Sequence, residues 1–254
     1  MTIAGSDSSS GAGIQADLKT FAAHEVYGCS VLTAITAQNT LNVYAARSMG
    51  AKLVAAQIDA VLEDFPVAAA KTGMLPNASV VRSVTARLNQ LPDLPLVVDP
   101  VVVATSGARL IDEGALRAIQ KHLIPAATLL TPNLEEAAIL SGHSIANESQ
   151  LQNAAEQLLA TGCQAVLIKG GHAPGQRIVD ILQTADGLER FEHPRQSGQY
   201  HGTGCTLSAS ITANLCLGMT LTDAVAGAID YVQRAICASH SPLKGSSRIL
   251  AHNV

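Results

Sequence analysis

The segment His201-Gly202-Thr203-Gly204-Cys205-Thr206 is the part of the chain best suited to chemistry, and it stands directly before an apolar run that reads as a helix to Leu217. A helix N-terminus presents unpaired amide N–H groups and the positive end of the macrodipole. Glycines let an anion approach such a backbone closely. Gly202, Thr203, Gly204 and Cys205 therefore suit a phosphoryl group. Cys205 falls in the first helical turn, where a thiol pKa is expected to be depressed. The same residues also fit a plain helix start whose glycines only make a turn.

The elements that must position these groups follow from hydrophobic spacing. Apolar runs at 1–4, 31–35, 68–72, 96–98, 129–130 and 165–168 read as strands, and 5–13 as a Gly/Ser-rich loop. Helical spacing falls on Ile14, Leu18, Phe21 and Ala22, and again on Leu53, Ala56, Ala60 and Val61. Asn77 can cap a helix with the face Val80, Val81, Val84 and Leu88, and Asp112 one carrying Leu116, Ile119 and Leu123. Further helices are expected up to Leu140, over 148–159 and over 221–238. Residues 41–49 read as a flap or small hairpin, and 178–182 with 188–191 as an antiparallel pair. Alternating strands and helices predict an α/β fold, a mostly parallel central sheet with helices on both faces. Ligands bind such sheets beyond the carboxyl ends of the strands. Gln38, Thr72-Gly73, Asp99, the 131–133 turn and Lys169-Gly170 all fall at such ends.

The 254 residues show no compositional boundary, so one domain over 1–254 is expected. The apolar content is mostly Ala, Val, Leu and Ile, with three Phe and no Trp, which suits a buried sheet under Ala-rich helices. A net charge of -4 gives no footprint for nucleic acid, so an anionic substrate must be held by helix ends, amides or a metal ion. Five cysteines without CxxC spacing indicate neither a disulfide framework nor a zinc site. No secretory leader and no bilayer-length apolar stretch is read, and a reduced, cytoplasmic protein is expected.

Several stretches are similar, in order, to the bacterial hydroxymethylpyrimidine/phosphomethylpyrimidine kinases of the ribokinase-like superfamily. They are 4–7 with 11–19, 33–39, 71–75, 98–101, 131–133, 169–172 and the Gly-Thr-Gly-Cys turn, and the likeness runs from residue 3 to about 237. Departures are Ser10 where Gly is frequent, Val102 where Met is, and Glu135 where Pro or Ala is.

The resemblance implies a ribokinase-like fold with a small flap near the active site and two ATP-dependent steps. The first phosphorylates the hydroxymethyl group of 4-amino-5-hydroxymethyl-2-methylpyrimidine, and the second converts the monophosphate to the diphosphate, in thiamine biosynthesis. It also implies a homodimer. In many relatives Asp acts as base at the position of Cys205, so Cys205 is assigned to the substrate hydroxyl and the amides of 202–205 to the transferring phosphoryl group. A modest base suffices, because phosphoryl transfer is mostly positioning and charge stabilisation. Asn133 and Glu136 match the superfamily's N-x-x-E motif for Mg²⁺, although an Asn at N-cap with Glu at N3 is equally a capping box. Asp99 is a second candidate for Mg²⁺, or an Asp that starts a turn, and Lys169 with Gly170 is expected near the nucleotide.

The Gln38 amide offers the donor and acceptor that an aminopyrimidine edge complements. Asp17 is expected to accept from the substrate, hold a loop, or lie solvated in a first helical turn. Ala12, Met74 and Val101 touch the ring by resemblance, though Met74 and Val101 also read as core. Two alternatives accompany this reading, a pyridoxal/pyridoxine kinase on the same fold and a non-catalytic pyrimidine-binding sensor.

Overall fold

The computed structural model describes residues 1–102, 110–172, 175–241, 244–245 and 247–254. Six strands run parallel: β1 (Thr2–Asp7), β2 (Ser30–Gln38), β4 (Ala70–Thr72), β5 (Leu96–Val98), β6 (Leu129–Leu130) and β7 (Ala165–Ile168). Antiparallel strands extend both edges, β3 (Val43–Ser48) beside β2, then β8 (Arg177–Thr184) and β9 (Gly187–Pro194) beside β7. The order is β3-β2-β1-β4-β5-β6-β7-β8-β9. A small parallel pair, β10 (Gln199–His201) with β11 (Ser247–Ile249), lies apart from it.

Strand alternation divides the core into two layers. Val98, Leu130, Val166 and Ile168 join one apolar cluster, while their neighbours Val97, Leu129, Ala165 and Leu167 join another. Both faces are covered, so these short strands are apolar throughout. The first layer packs α2 (Ala51–Asp64), α3 (Ala78–Leu88), α4 (Glu113–Ala118), α5 (Leu134–Ser141) and α6 (Glu148–Leu159). The second packs α7 (Thr203–Cys216) and α8 (Leu221–Cys237), and α7 also holds α1 (Gly13–Ala23) through Phe21 against Ala209 and Ala213. Each fully buried Leu, Ile or Val contributes about 1.5–3 kcal/mol.

The expected caps are present. Asn77 accepts from the Val80 amide at 3.0 Å and Asp112 from the Ala115 amide at 2.6 Å. The expected helix is α2, and its inward face is Val54, Ala55 and Ile58, whereas Leu53 is 55% exposed. Of the flap or small hairpin expected at 41–49, the structure has the hairpin: edge strand β3 folds back antiparallel on β2, with Val43 paired to Gln38. The first loop is shorter than expected, because β1 continues through Gly5 and Ser6 to Asp7.

Candidate active site

The parallel strands end along one rim, and a cavity of about 650 Å³ opens over it. Residues 202–205 line it, and Gly202 is the N-cap of α7 at φ 83°. A Cβ on Gly202 would lie 1.8 Å from Gly11 O, so glycine is required where the two loops meet backbone to backbone. The Gly202 carbonyl accepts from the Thr206 amide at 2.9 Å and its hydroxyl at 2.8 Å. By helix geometry the amides of Thr203, Gly204 and Cys205 lack partners inside α7.

Cys205 is half-buried on the cavity wall, and the expected depression of its pKa is reversed. Burial pushes the thiol up to about 12, helped by the carboxylates of Asp17 and Asp99 and opposed by the Lys71 ammonium and the Gly13 amide. The sequence shows the helix end but not the two carboxylates folded behind it.

A second end of the cavity centres on Asp99, which is buried and ion-paired with Lys169 at 3.1 Å. Thr131 and Ser208 each donate a hydroxyl to Asp99 at 3.3 Å. This end adjoins the helix N-terminus, since a Cβ on Gly204 would meet Lys169 Nζ at 3.3 Å and Asp99 Oδ2 at 3.9 Å. Asn133 and Glu136 line the cavity and also form the capping box of α5, with both reciprocal bonds at 2.9 Å. Burial raises the Glu136 carboxyl to about 7, against the pull of Lys169. Gly170 lies between Lys169 and Gly171, which both line the cavity, and is not itself on the wall. The Gly170 amide donates to Asp180 Oδ1 at 2.7 Å, and a Cβ there would meet Val179 O at 2.0 Å. It is a close-packing glycine that lets the turn after β7 fold onto β8.

Gln38, Ala12, Met74 and Val101 also line the cavity. Asp17 is corrected, for it is wholly buried behind that wall and belongs neither to the lining nor to solvent. Lys71 donates to it at 2.7 Å and Thr2 at 2.6 Å. Both charges of the Lys71–Asp17 pair are fully inaccessible. Removing one partner of such a pair costs about 3–5 kcal/mol, because the other charge stays buried without compensation.

The sequence reading gave no role to Asp7 and His201, which also line the cavity. Their side chains meet at 2.8 Å, 194 residues apart in sequence. Asp7 gathers the β1–α1 loop, accepting from the Ser9 amide at 2.8 Å and the Ala12 amide at 2.9 Å. Ser10 in that loop has φ 61°, a left-handed conformation that explains why Gly suits the position. Asp180, His193 and Gln233 were missed as well. His193 bridges Asp180 at 3.1 Å and Gln233 at 2.9 Å, on the cavity wall beyond Lys169. Asp7, like Asp99, closes a strand, and that position was the available signal.

A sheet rim that brings an anion-binding helix end against an ammonium–carboxylate pair has the organisation of a small-molecule kinase, on the ribokinase-like fold. The chain belongs to the phosphomethylpyrimidine kinase family, whose model matches residues 7–249. A hydroxymethylpyrimidine/phosphomethylpyrimidine kinase of Rhizobium meliloti (strain 1021) is 46% identical over 255 residues, covering 100% of this chain and 96% of that protein. The crystal structure of phosphomethylpyrimidine kinase from Clostridium difficile 630 has TM-score 0.83 and 43% identity, covering 92% of this chain and 97% of that one. An ADP complex of Bacillus subtilis pyridoxal kinase has TM-score 0.91 and 35% identity, covering 99% and 96%. The family is one of kinases, so the sensor alternative is set aside. No helix among the described residues is long and apolar enough to cross a membrane.

Proposed function

We propose that the chain uses ATP to phosphorylate 4-amino-5-hydroxymethyl-2-methylpyrimidine and then its monophosphate, in thiamine biosynthesis. The observation that carries this reading is one cavity joining Gln38 to residues 202–205 and to the Asp99–Lys169 pair. The Gln38 amide pairs with the aminopyrimidine edge, while Ala12, Met74 and Val101 flank the ring. The hydroxymethyl oxygen then faces Cys205 and the amides of 203–205. Its attack forms the new O–P bond as the bond to ADP breaks, the hydroxyl proton passes to an oxygen of the transferring phosphoryl group and from there to solvent, and the amides stabilise the charge of that group. The resting thiol is neutral, so Cys205 meets the hydroxyl as a hydrogen-bond partner.

Lys169 and Asn133 lie on the nucleotide side. Among the described residues no cluster of three or more His, Cys, Asp or Glu side chains gathers to hold a metal. Asp99 and Glu136 nevertheless fit Mg²⁺ brought in by phosphates, which needs only one or two protein carboxylates. Mg²⁺ would neutralise triphosphate charge there. The reading includes one domain, a homodimer and a cytoplasmic setting.

A second reading, phosphorylation of pyridoxal, is favoured by the likeness to Bacillus subtilis pyridoxal kinase. A coupled assay of ADP release with the aminopyrimidine alcohol, its monophosphate and pyridoxal tests both. Release with both pyrimidines supports the first reading, release with pyridoxal alone the second, and no release with any would overturn both.

A further inference from the structure

The orientation of the Gln38 amide decides which ring edge it can read, and the hydrogen-bond inventory around it fixes that orientation. The amide nitrogen lies 3.4 Å from His201 Nε2, and the amide oxygen 3.2 Å from Thr36 Oγ1. His201 Nε2 also lies 2.8 Å from Asp7 Oδ2. Burial works against the Asp7 charge, but hydrogen bonds from His201 and Ser9 outweigh it and hold the carboxyl below its ordinary value. Asp7 is therefore a carboxylate, and His201 Nε2 must carry the proton it donates. With that proton engaged by Asp7, Nε2 has no lone pair left to accept from the amide N–H across the 3.4 Å contact. At the other end, Thr36 has one hydroxyl proton, and the Ser6 carbonyl at 2.9 Å takes it. Thr36 is left with lone pairs facing the amide oxygen. With the amide turned over, its nitrogen donates to Thr36 and its oxygen shares the His201 proton with Asp7, since the two ends of an amide are distinguished by their partners.

We infer that the buried His201–Asp7 pair and Thr36 lock the Gln38 amide with its oxygen towards His201 and its nitrogen towards Thr36, and that this lock selects aminopyrimidine over pyridoxal. The inference rests on the proposed docking of the substrate ring against Gln38. His201 directly precedes the glycine turn that receives the hydroxymethyl group. On the aminopyrimidine, the substituent beside the hydroxymethyl is an amine, a donor, and the next ring atom is a nitrogen, an acceptor. Read outward from the turn, the locked amide offers acceptor, then donor, which matches. On pyridoxal the neighbour is a formyl oxygen, an acceptor, so the locked amide oxygen meets it like to like and the hydrogen bond made to the amine is lost. His201 and Thr36 are thus positioning residues that set substrate choice through Gln38.

The test is the ratio of kcat/KM for the aminopyrimidine alcohol to that for pyridoxal. Wild type should favour the pyrimidine. His201→Leu removes the donor and should lower the ratio by about tenfold, the size of one net hydrogen bond. His201→Gln restores an N–H and should return the ratio towards wild type, which a purely structural role would not do. Thr36→Val, near-isosteric and independent of the histidine, should also lower the ratio, so the inference stays testable if His201→Leu fails to fold. A ratio unchanged in Thr36→Val and in the folded His201 variant would overturn the lock while leaving the kinase reading intact. Absence of turnover with either alcohol in wild type would overturn the kinase reading itself.

Discussion

At Cys205 two environments compete. The helix end and the Lys71 ammonium favour a thiolate, while burial and the carboxylates of Asp17 and Asp99 oppose it and prevail. With the thiol near 12, the thiolate fraction at neutral pH is on the order of 10⁻⁵. Alkylation at neutral pH, followed by mass spectrometry, should label the exposed Cys237 and spare Cys205. For the same reason no acid limb of the pH–rate profile belongs to this thiol. Cys205→Ala should lower turnover by less than the roughly 10²–10⁴-fold typical of losing a general base. Rapid labelling of Cys205, or a loss within or above that range, would restore the base role. Glu136 titrates in a more accessible window. Its carboxyl is raised to about 7 by burial, so the folded state favours the proton below that pH and the ion above it. The stability gained from the protonated form is fully present below the ordinary carboxylate value and is lost as pH rises through about 7. If the ionised form helps to hold Mg²⁺, the Mg²⁺ concentration for half-maximal rate should fall as pH rises through that value. Glu136→Gln should flatten this trend and raise the requirement at high pH.

At the scale of elements, the proposed anion site at the start of α7 depends on an N-cap that touches another loop. Gly202→Ala would drive a Cβ into Gly11 O and force a left-handed φ on alanine. Turnover should fall on the order of 10²–10³-fold, the range for losing an oxyanion donor, while the helical circular dichroism signal stays at wild type. Retained turnover would show that the turn tolerates displacement. The caps at Asn77, Asp112 and Asn133 were legible in the sequence because capping is local, set by residues three apart. The α3 face was legible from its apolar stripe, whereas in α2 Leu53 fits a helical apolar spacing and is exposed. The turn at Gly170 shows the same limit. Its neighbour Gly171 is on the cavity wall, and only the packing against Val179 separates the two.

For the whole molecule, the sheet rim brings together residues that the chain keeps far apart. Strand ends mark the rim in the sequence, so Gln38, Asp99, Asn133 and Lys169 could be placed on one cavity without coordinates. What could not be read is which charges neutralise each other across it. Asp17 pairs with Lys71 over 54 residues and Asp7 with His201 over 194, and neither spacing leaves a local pattern. The same long-range pairs hold the polar strand ends around one cavity, and the proposed function assigns a ring and a nucleotide to it on either side of the start of α7. The direct test of that arrangement is the mass of the products formed from the free pyrimidine alcohol and ATP. The account predicts successive gains of one and then two phosphoryl groups on the pyrimidine, each matched by one ADP. ATP consumed with no gain of mass on the pyrimidine would contradict it.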